Sequence, residues 1–185
     1  MLGVVVKFQP LKIFVGKVKT MAMVASRIFT NSRLIAMIFL GFSSGLPLAL
    51  TVSTLQAWFT QANVNLATIG ALSLIGIPYT LKFLWAPLMD QFGVAQLGRR
   101  RGWILVTQCG LAVTLFIVAQ MDPSRQSSVM GMIALVIAFF SASQDVAIDA
   151  YRTEVLPAEE RGLGAAYYIF AYRVALLLSG GLAKM

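Results

Sequence analysis

The sequence predicts an all-α, polytopic membrane protein of about five transmembrane helices. Three observations carry that expectation. Apolar residues make up 58% of the 185-residue chain and charged residues only 12%, against about 45–50% and about 25% in soluble domains; the mean hydropathy is +0.80. The apolar residues come in long blocks. Each approaches the roughly 20 residues that a helix needs to cross the hydrocarbon core, and none alternates in the manner of an outer-membrane barrel. The basic residues sit in short segments between the blocks.

Two domains are expected. Residues 1–32 form a basic, cytosolic and poorly ordered extension, with Lys7, Lys12, Lys17, Lys19 and Arg27 and no acid. Its run Val4–Val6 is too short for a signal peptide. Residues 33–185 form a partial transmembrane bundle with spans at about 34–59, 67–89, 103–119, 129–151 and 163–185. Span one holds Gly41 and Gly45, four apart and therefore on one face, followed by Pro47. Such glycines allow close helix approach, and the proline kinks the helix. Span two repeats the theme with Gly76, Pro78 and Pro87. Packing alone, or bending around a cavity, both fit this pattern. Trp58 and Trp103 stand at span ends as interfacial anchors. Span five reaches the last residue, Met185, so the expectation is a first bundle that lacks its closing helices and does not transport alone.

Loop charges set the orientation. Lys and Arg collect before span one, between spans two and three at Arg99, Arg100 and Arg101, and after span four at Arg152 and Arg161. The alternate loops are nearly uncharged. Cytoplasmic loops carry the basic excess, so the N-terminus is expected in the cytoplasm. The same distribution argues against nucleic acid as a partner despite the net charge of +8, because the charge is split among loops rather than gathered on a face. The chain has no histidine and one cysteine, Cys109. A zinc site, a Ser-His-Asp triad and an internal disulfide cannot be built from it. No metal, cofactor or catalytic residue is expected.

Four ionisable residues fall within the apolar spans: Lys82, Asp145, Asp149 and Arg173. A charge at a helix centre costs about 2.5–3.5 kcal/mol on insertion scales, and such residues commonly mark a transport pathway. Asp145 and Asp149 are one helical turn apart and share a face. Two carboxylates so placed repel when both are ionised, which makes them proton-coupling candidates. Lys82 falls at a similar depth and is expected to pair with one of them. Arg173 falls near the bilayer midplane, where a fixed cation attracts a carboxylate-bearing substrate. Tyr79, Gln144 and Tyr172 complete the substrate or ion-pair candidates. Tyr168 shares the Tyr172 face; packing or sugar stacking would each account for that pair.

The loop from Asp90–Gln91 to Gly98–Arg99–Arg100–Arg101 resembles the signature of the major facilitator superfamily, although eight residues separate acid from arginines and Gln91 stands where an arginine commonly follows the acid. That resemblance implies a cytosolic latch of Asp90, Arg99, Arg100 and Arg101; topology determination by the arginines alone is the simpler alternative. The stretches Gly41–Pro47, Tyr79–Pro87 and Ser143–Arg152 resemble the muropeptide permease (AmpG) family, with acetyl-coenzyme A transporters as more distant relatives. The likeness covers about Leu34 to the C-terminus. It implies a major-facilitator N-terminal bundle here, with further C-terminal helices as its partner. It also implies import of N-acetylglucosaminyl-1,6-anhydro-N-acetylmuramyl peptides across the inner membrane, driven by protons, for cell-wall recycling. The alternatives are a carrier of another anionic cargo, such as a coenzyme A ester, and a membrane-embedded enzyme, which the residue inventory disfavours.

Overall fold

The computed structural model describes residues 31–93 and 98–182. The expected N-terminal extension lies outside the described residues except for its last two. The chain divides into two units, Met1–Ala36 and Met37–Met185; the described part of the first is the start of one helix, and everything below concerns the second. The described residues are helices and short connections, with no strand among them. Five of the helices are long and apolar enough to cross a membrane. They are α1 (Ser32–Gln61), α2 (Leu66–Leu84), α4 (Arg99–Ala119), α5 (Pro123–Val155) and α6 (Ala158–Leu182), with a short α3 (Ala86–Gln91) between α2 and α4.

Helices α1 and α2 contain internal proline and are irregular, and α5 kinks near its start at Gln126 (φ −127°, ψ 23°). In α1 the ring of Pro47 removes one backbone donor, and a π-helical turn follows at Leu50–Thr54. Hydroxyls take up carbonyls there: Thr51 Oγ1 donates to Pro47 O at 2.8 Å and Ser53 Oγ to Ala49 O at 2.7 Å. The chain then turns through Asn63 at φ 53°, a left-handed conformation that asparagine tolerates. The Asn65 side chain caps α2 by accepting from Ala67 N at 2.9 Å. Helix α2 tightens into 3₁₀ turns at Leu72–Ile75 and Lys82–Leu84. It ends at Trp85, so the expected single span over 67–89 is two helices, with Pro87 in the first turn of α3.

Helix α5 is the central element: half of its apolar window is buried, against 11% for α2. From the kink at Gln126 to Val155 it still runs about 40 Å or more, beyond a hydrocarbon core of about 30 Å. Asp122 caps its start by accepting from Ser124 N at 2.9 Å. Around it the core forms in two clusters. One gathers Leu55, Phe59, Leu72, Ile75, Met130, Ala134 and Ala138; the other, near the end of α5, gathers Met89, Ile104, Ala147 and Ile148. The small residues on α5 let neighbours approach closely.

The α1–α6 contact is closer still. A Cβ on Gly41 would overlap the carbonyl of Tyr168, and one on Gly45 would stand 2.7 Å from the Tyr172 oxygen. The glycine face of α1 is therefore a packing surface. Gly76 is different, since nothing lies within 4 Å of an added Cβ. Gly41→Ala is accordingly expected to destabilise the protein by about 1–3 kcal/mol through overpacking, whereas Gly76→Ala is neutral or stabilising by up to about 1 kcal/mol. Reversible unfolding of both variants in mixed micelles checks the contrast.

Candidate functional site

Where α1, α5 and α6 meet, the bundle interior is polar. Asp145 is half-buried on α5 and accepts a hydrogen bond from Ser44 Oγ of α1. Ser44 in turn accepts from Tyr168 OH of α6 at 3.0 Å. The glycine face creates this arrangement, because Gly41 and Gly45 bring α6 close enough for its tyrosine to reach a serine on α1. Beside it, Ser43 Oγ accepts from Gln144 Nε2 of α5 at 2.7 Å and from Gln108 Nε2 of α4 at 3.1 Å. Four helices thus converge on two adjacent serines.

Several buried polar atoms at this junction are left over. Gln144 is 1% exposed, and its Oε1 has no partner among the described residues. The hydroxyl of Tyr79 on α2 lies next to that of Ser141 on α5, yet neither closes a hydrogen bond. Buried groups without partners are costly in a low dielectric. Their concentration around Asp145 is the main physical mark of a site. Tyr172 stacks on Tyr168 with ring centroids 6.3 Å apart and brings a second phenol to the same face of α6.

The structure brings Asp145, Gln144, Tyr79 and Tyr172 together and separates the rest. The expected ion pair between Lys82 and an aspartate is not formed. Asp145 is held by Ser44, and Lys82 acts on it by Coulomb attraction from beyond contact distance. Asp149 is exposed and pairs instead with Arg152 at 3.2 Å. Similar depth in two helices did not translate into the same azimuth. Arg173 is exposed, and at about 100° per residue it stands away from the Tyr168 and Tyr172 face of α6. Sequence reasoning missed Ser43, Ser44 and Gln108 as site residues, and weighed Tyr168 for packing or stacking but not for the hydrogen bond it makes to Ser44. Adjacent serines inside a glycine-faced apolar span were the available signal.

A second cluster lies where α4 begins and α5 ends. The three arginines, read from sequence as loop, occupy the first turn of α4, after Gly98 at φ 84°. Arg100 forms an ion pair with Asp90 of α3 and bonds Glu154 Oε1 of α5 through Nε at 2.8 Å. Arg99 donates to the Asp90 carbonyl at 3.0 Å. Arg101 instead lies over the Tyr151 ring, 6.0 Å from its centroid. Glu154 is a further member that sequence reasoning missed, because it lies past the apolar block of its helix. The Arg100 side chain is 13% exposed and that of Glu154 47%, so the pair is partly screened by solvent. A double-mutant cycle with Arg100→Gln and Glu154→Gln is expected to yield a coupling of about 0.5–1 kcal/mol that shrinks in high salt, read from unfolding midpoints in mixed micelles.

Comparison with known proteins places this arrangement. The chain is 54% identical over 157 residues to the anhydromuropeptide permease of Escherichia coli K12, covering 85% of this chain and 32% of that protein. It is 48% identical over 158 residues to an uncharacterised protein of Haemophilus influenzae, covering 85% and 37%. It is 40% identical over 154 residues to a putative transporter, AmpG 1, of Rickettsia conorii, covering 81% and 37%. The chain therefore spans about a third of the length of these relatives. Residues 33–129, a little over half of the chain, match the family described as acetyl-coenzyme A transporter 1, and with its five membrane-spanning helices the chain belongs to that family of multi-pass membrane proteins.

Proposed function

We propose that this chain forms part of a proton-coupled carrier that imports anhydromuropeptides from the periplasm into the cytoplasm for cell-wall recycling. The observation that carries this reading is the 54% identity to an anhydromuropeptide permease over 85% of the chain, a stretch long enough to take in the polar junction around Asp145. The proposed location is the inner membrane with the N-terminus in the cytoplasm. The segregation of Lys and Arg to alternate loops supports that orientation.

In this reading Asp145 is the proton carrier. A carboxylate among hydroxyls, with a lysine at longer range, can be discharged by one proton without leaving a bare buried cation. Asp149, paired with Arg152, is the second candidate and sits closer to the end of α5. The unpaired Gln144 Oε1, Tyr79 OH and Ser141 Oγ are suited to the hydroxyls and amides of a glycopeptide, and Tyr172 and Tyr168 to its sugar faces. Lys82 supplies positive charge for its carboxylates. Arg173 belongs to a separate face, and a cargo-binding role there is a distinct proposal. The Asp90–Arg100–Glu154 cluster is the cytosolic latch, since an ion-pair network near a helix end can close in one state and open in another. The match to acetyl-coenzyme A transporter 1 supports one alternative cargo, a coenzyme A ester.

Replacing the matching 157-residue segment of the E. coli permease with that of this chain gives a direct test. The chimera is expected to restore uptake of labelled anhydromuropeptide in cells lacking their own permease. Asp145→Asn in the chimera is expected to reduce that uptake by about tenfold or more, as loss of a charged hydrogen-bonding group does, and to remove its response to a pH gradient. A chimera that inserts normally but takes up no muropeptide would sink the proposal; competition by a coenzyme A ester favours the alternative.

A further inference from the structure

A second feature of the molecule has no part in the polar junction. Between α2–α3, α4 and α5 runs a groove of about 310 Å³, walled by Trp85, Leu88, Phe92, Trp103, Val106 and Phe139. Its walls present no unpaired donor, because Trp85 Nε1 donates to Ser143 Oγ at 3.0 Å and Trp103 Nε1 to the Phe92 carbonyl at 2.7 Å. Leu88, Phe92 and Phe139 are 54%, 62% and 44% exposed, so the groove opens on the outer surface of the bundle.

No charged residue lines the groove; the nearest cation along α4 is Arg99, one helical turn before Trp103, and it lines a separate hollow with Arg100, Arg101, Tyr151 and Glu154. Arg99 lies on the same face of α4 as Trp103 and Val106, which follow it by four and seven residues. Its guanidinium is tied to the Asp90 carbonyl at 3.0 Å, and its Cα stands 3.8 Å from an added Cβ on Gly93, next to Phe92. Its charge is only partly offset. Arg100 takes the Asp90 carboxylate and holds Glu154 at 2.8 Å, whereas Arg99 approaches Glu154 only to 3.9 Å with its side chain 52% exposed. The groove therefore has an apolar, uncharged lining, with the partly offset charge of Arg99 one helical turn beyond it at the start of α4. A hollow of similar size, about 320 Å³, lies near the other end of α4, walled by Leu50, Leu55, Trp58, Leu115 and Ile137 among others; its lining, like that of the groove, holds no basic residue, and it lies at the end of α4 away from Arg99.

We propose that the groove binds one acyl chain of an anionic phospholipid whose phosphate pairs with Arg99. This assignment does not rest on the transport reading. Rigid aromatic walls hold a chain at little entropic cost to the protein, and a basic residue at the surface selects anionic headgroups by about fivefold.

The three tryptophans make this measurable. The full chain is reconstituted in phosphatidylcholine vesicles containing rising fractions of acyl-brominated phosphatidylglycerol or acyl-brominated phosphatidylcholine, and tryptophan quenching is read. In Trp58→Phe, which leaves the two groove tryptophans, the brominated phosphatidylglycerol is expected to quench at about fivefold lower fraction. In W85F/W103F, which leaves Trp58 in its uncharged hollow, the two lipids should quench alike. Adding Arg99→Gln to Trp58→Phe should erase the preference, and adding Arg101→Gln, which removes the same charge over Tyr151, should keep it. High salt should erode the preference in Trp58→Phe alone, an arm that serves if Arg99→Gln does not insert. Equal quenching by both lipids in Trp58→Phe, a preference that survives Arg99→Gln or high salt, or one lost equally in Arg101→Gln would overturn the assignment.

Discussion

The hydrogen bond from Ser44 to Asp145 is the interaction on which the interior is organised. A carboxylate inside a membrane bundle needs donors, and hydrocarbon supplies none. Here the donor comes from α1, and the same hydroxyl accepts from Tyr168 of α6. That geometry requires α1 and α6 to touch backbone to backbone, and Gly41 and Gly45 permit this. The packing face and the polar site are thus one feature: a side chain added at either glycine pushes the tyrosine away from the serine and weakens the setting of the aspartate.

Charge is distributed so that few ions stand alone. Within the bundle the carboxylate is met by a hydroxyl, with Lys82 acting from a distance. Toward the end of α5 the ions pair directly, Asp149 with Arg152 and Arg100 with both Asp90 and Glu154. Arg152 also lies over the Tyr168 ring at 5.4 Å, so one arginine touches both an ion pair and the tyrosine that completes the Asp145 network. A shift of α6 that moved Tyr168 would therefore disturb the hydrogen bond to Ser44 and the cation–π contact of Arg152 together. This is a short physical path between the interior site and the charged end of the bundle.

The apolar blocks revealed that five membrane helices exist, because about 20 consecutive apolar residues have few other uses. They did not reveal where the helices end. Helix α4 starts at Arg99 rather than 103, α5 runs from Pro123 to Val155 rather than 129–151, and α6 starts at Ala158 rather than 163. Charged residues at those ends are helical once they clear the hydrocarbon, and hydropathy is blind to them. The same blindness hid Glu154. The glycine face was legible from its spacing of four. The Lys82–aspartate pair was inferred from depth alone, which fixes one coordinate of a side chain; the azimuth is set by tertiary packing, and packing gave Asp145 to Ser44. Serines escaped notice because an uncharged hydroxyl raises no alarm in an apolar run, although two in a row beside packed glycines was a usable sign.

Arg173 poses the sharpest remaining physical question. It lies 15 residues after the first residue of α6 and nine before the last, only a few ångströms from the helix midpoint at 1.5 Å per residue. It is exposed, on a face shared with Phe170 and Leu177, which are 67% and 76% exposed. A guanidinium on that face in bare lipid costs about 2.5–3.5 kcal/mol on insertion scales, and snorkelling relieves the cost best near a helix end. The outer face of α4 carries no such burden: Leu105, Val106, Val113 and Phe116 are exposed and apolar throughout, as a lipid-facing surface should be. The two outward surfaces therefore differ in kind. Acyl chains alone would satisfy a surface like that of α4, whereas that of α6 is stable only where protein or water lies against Arg173.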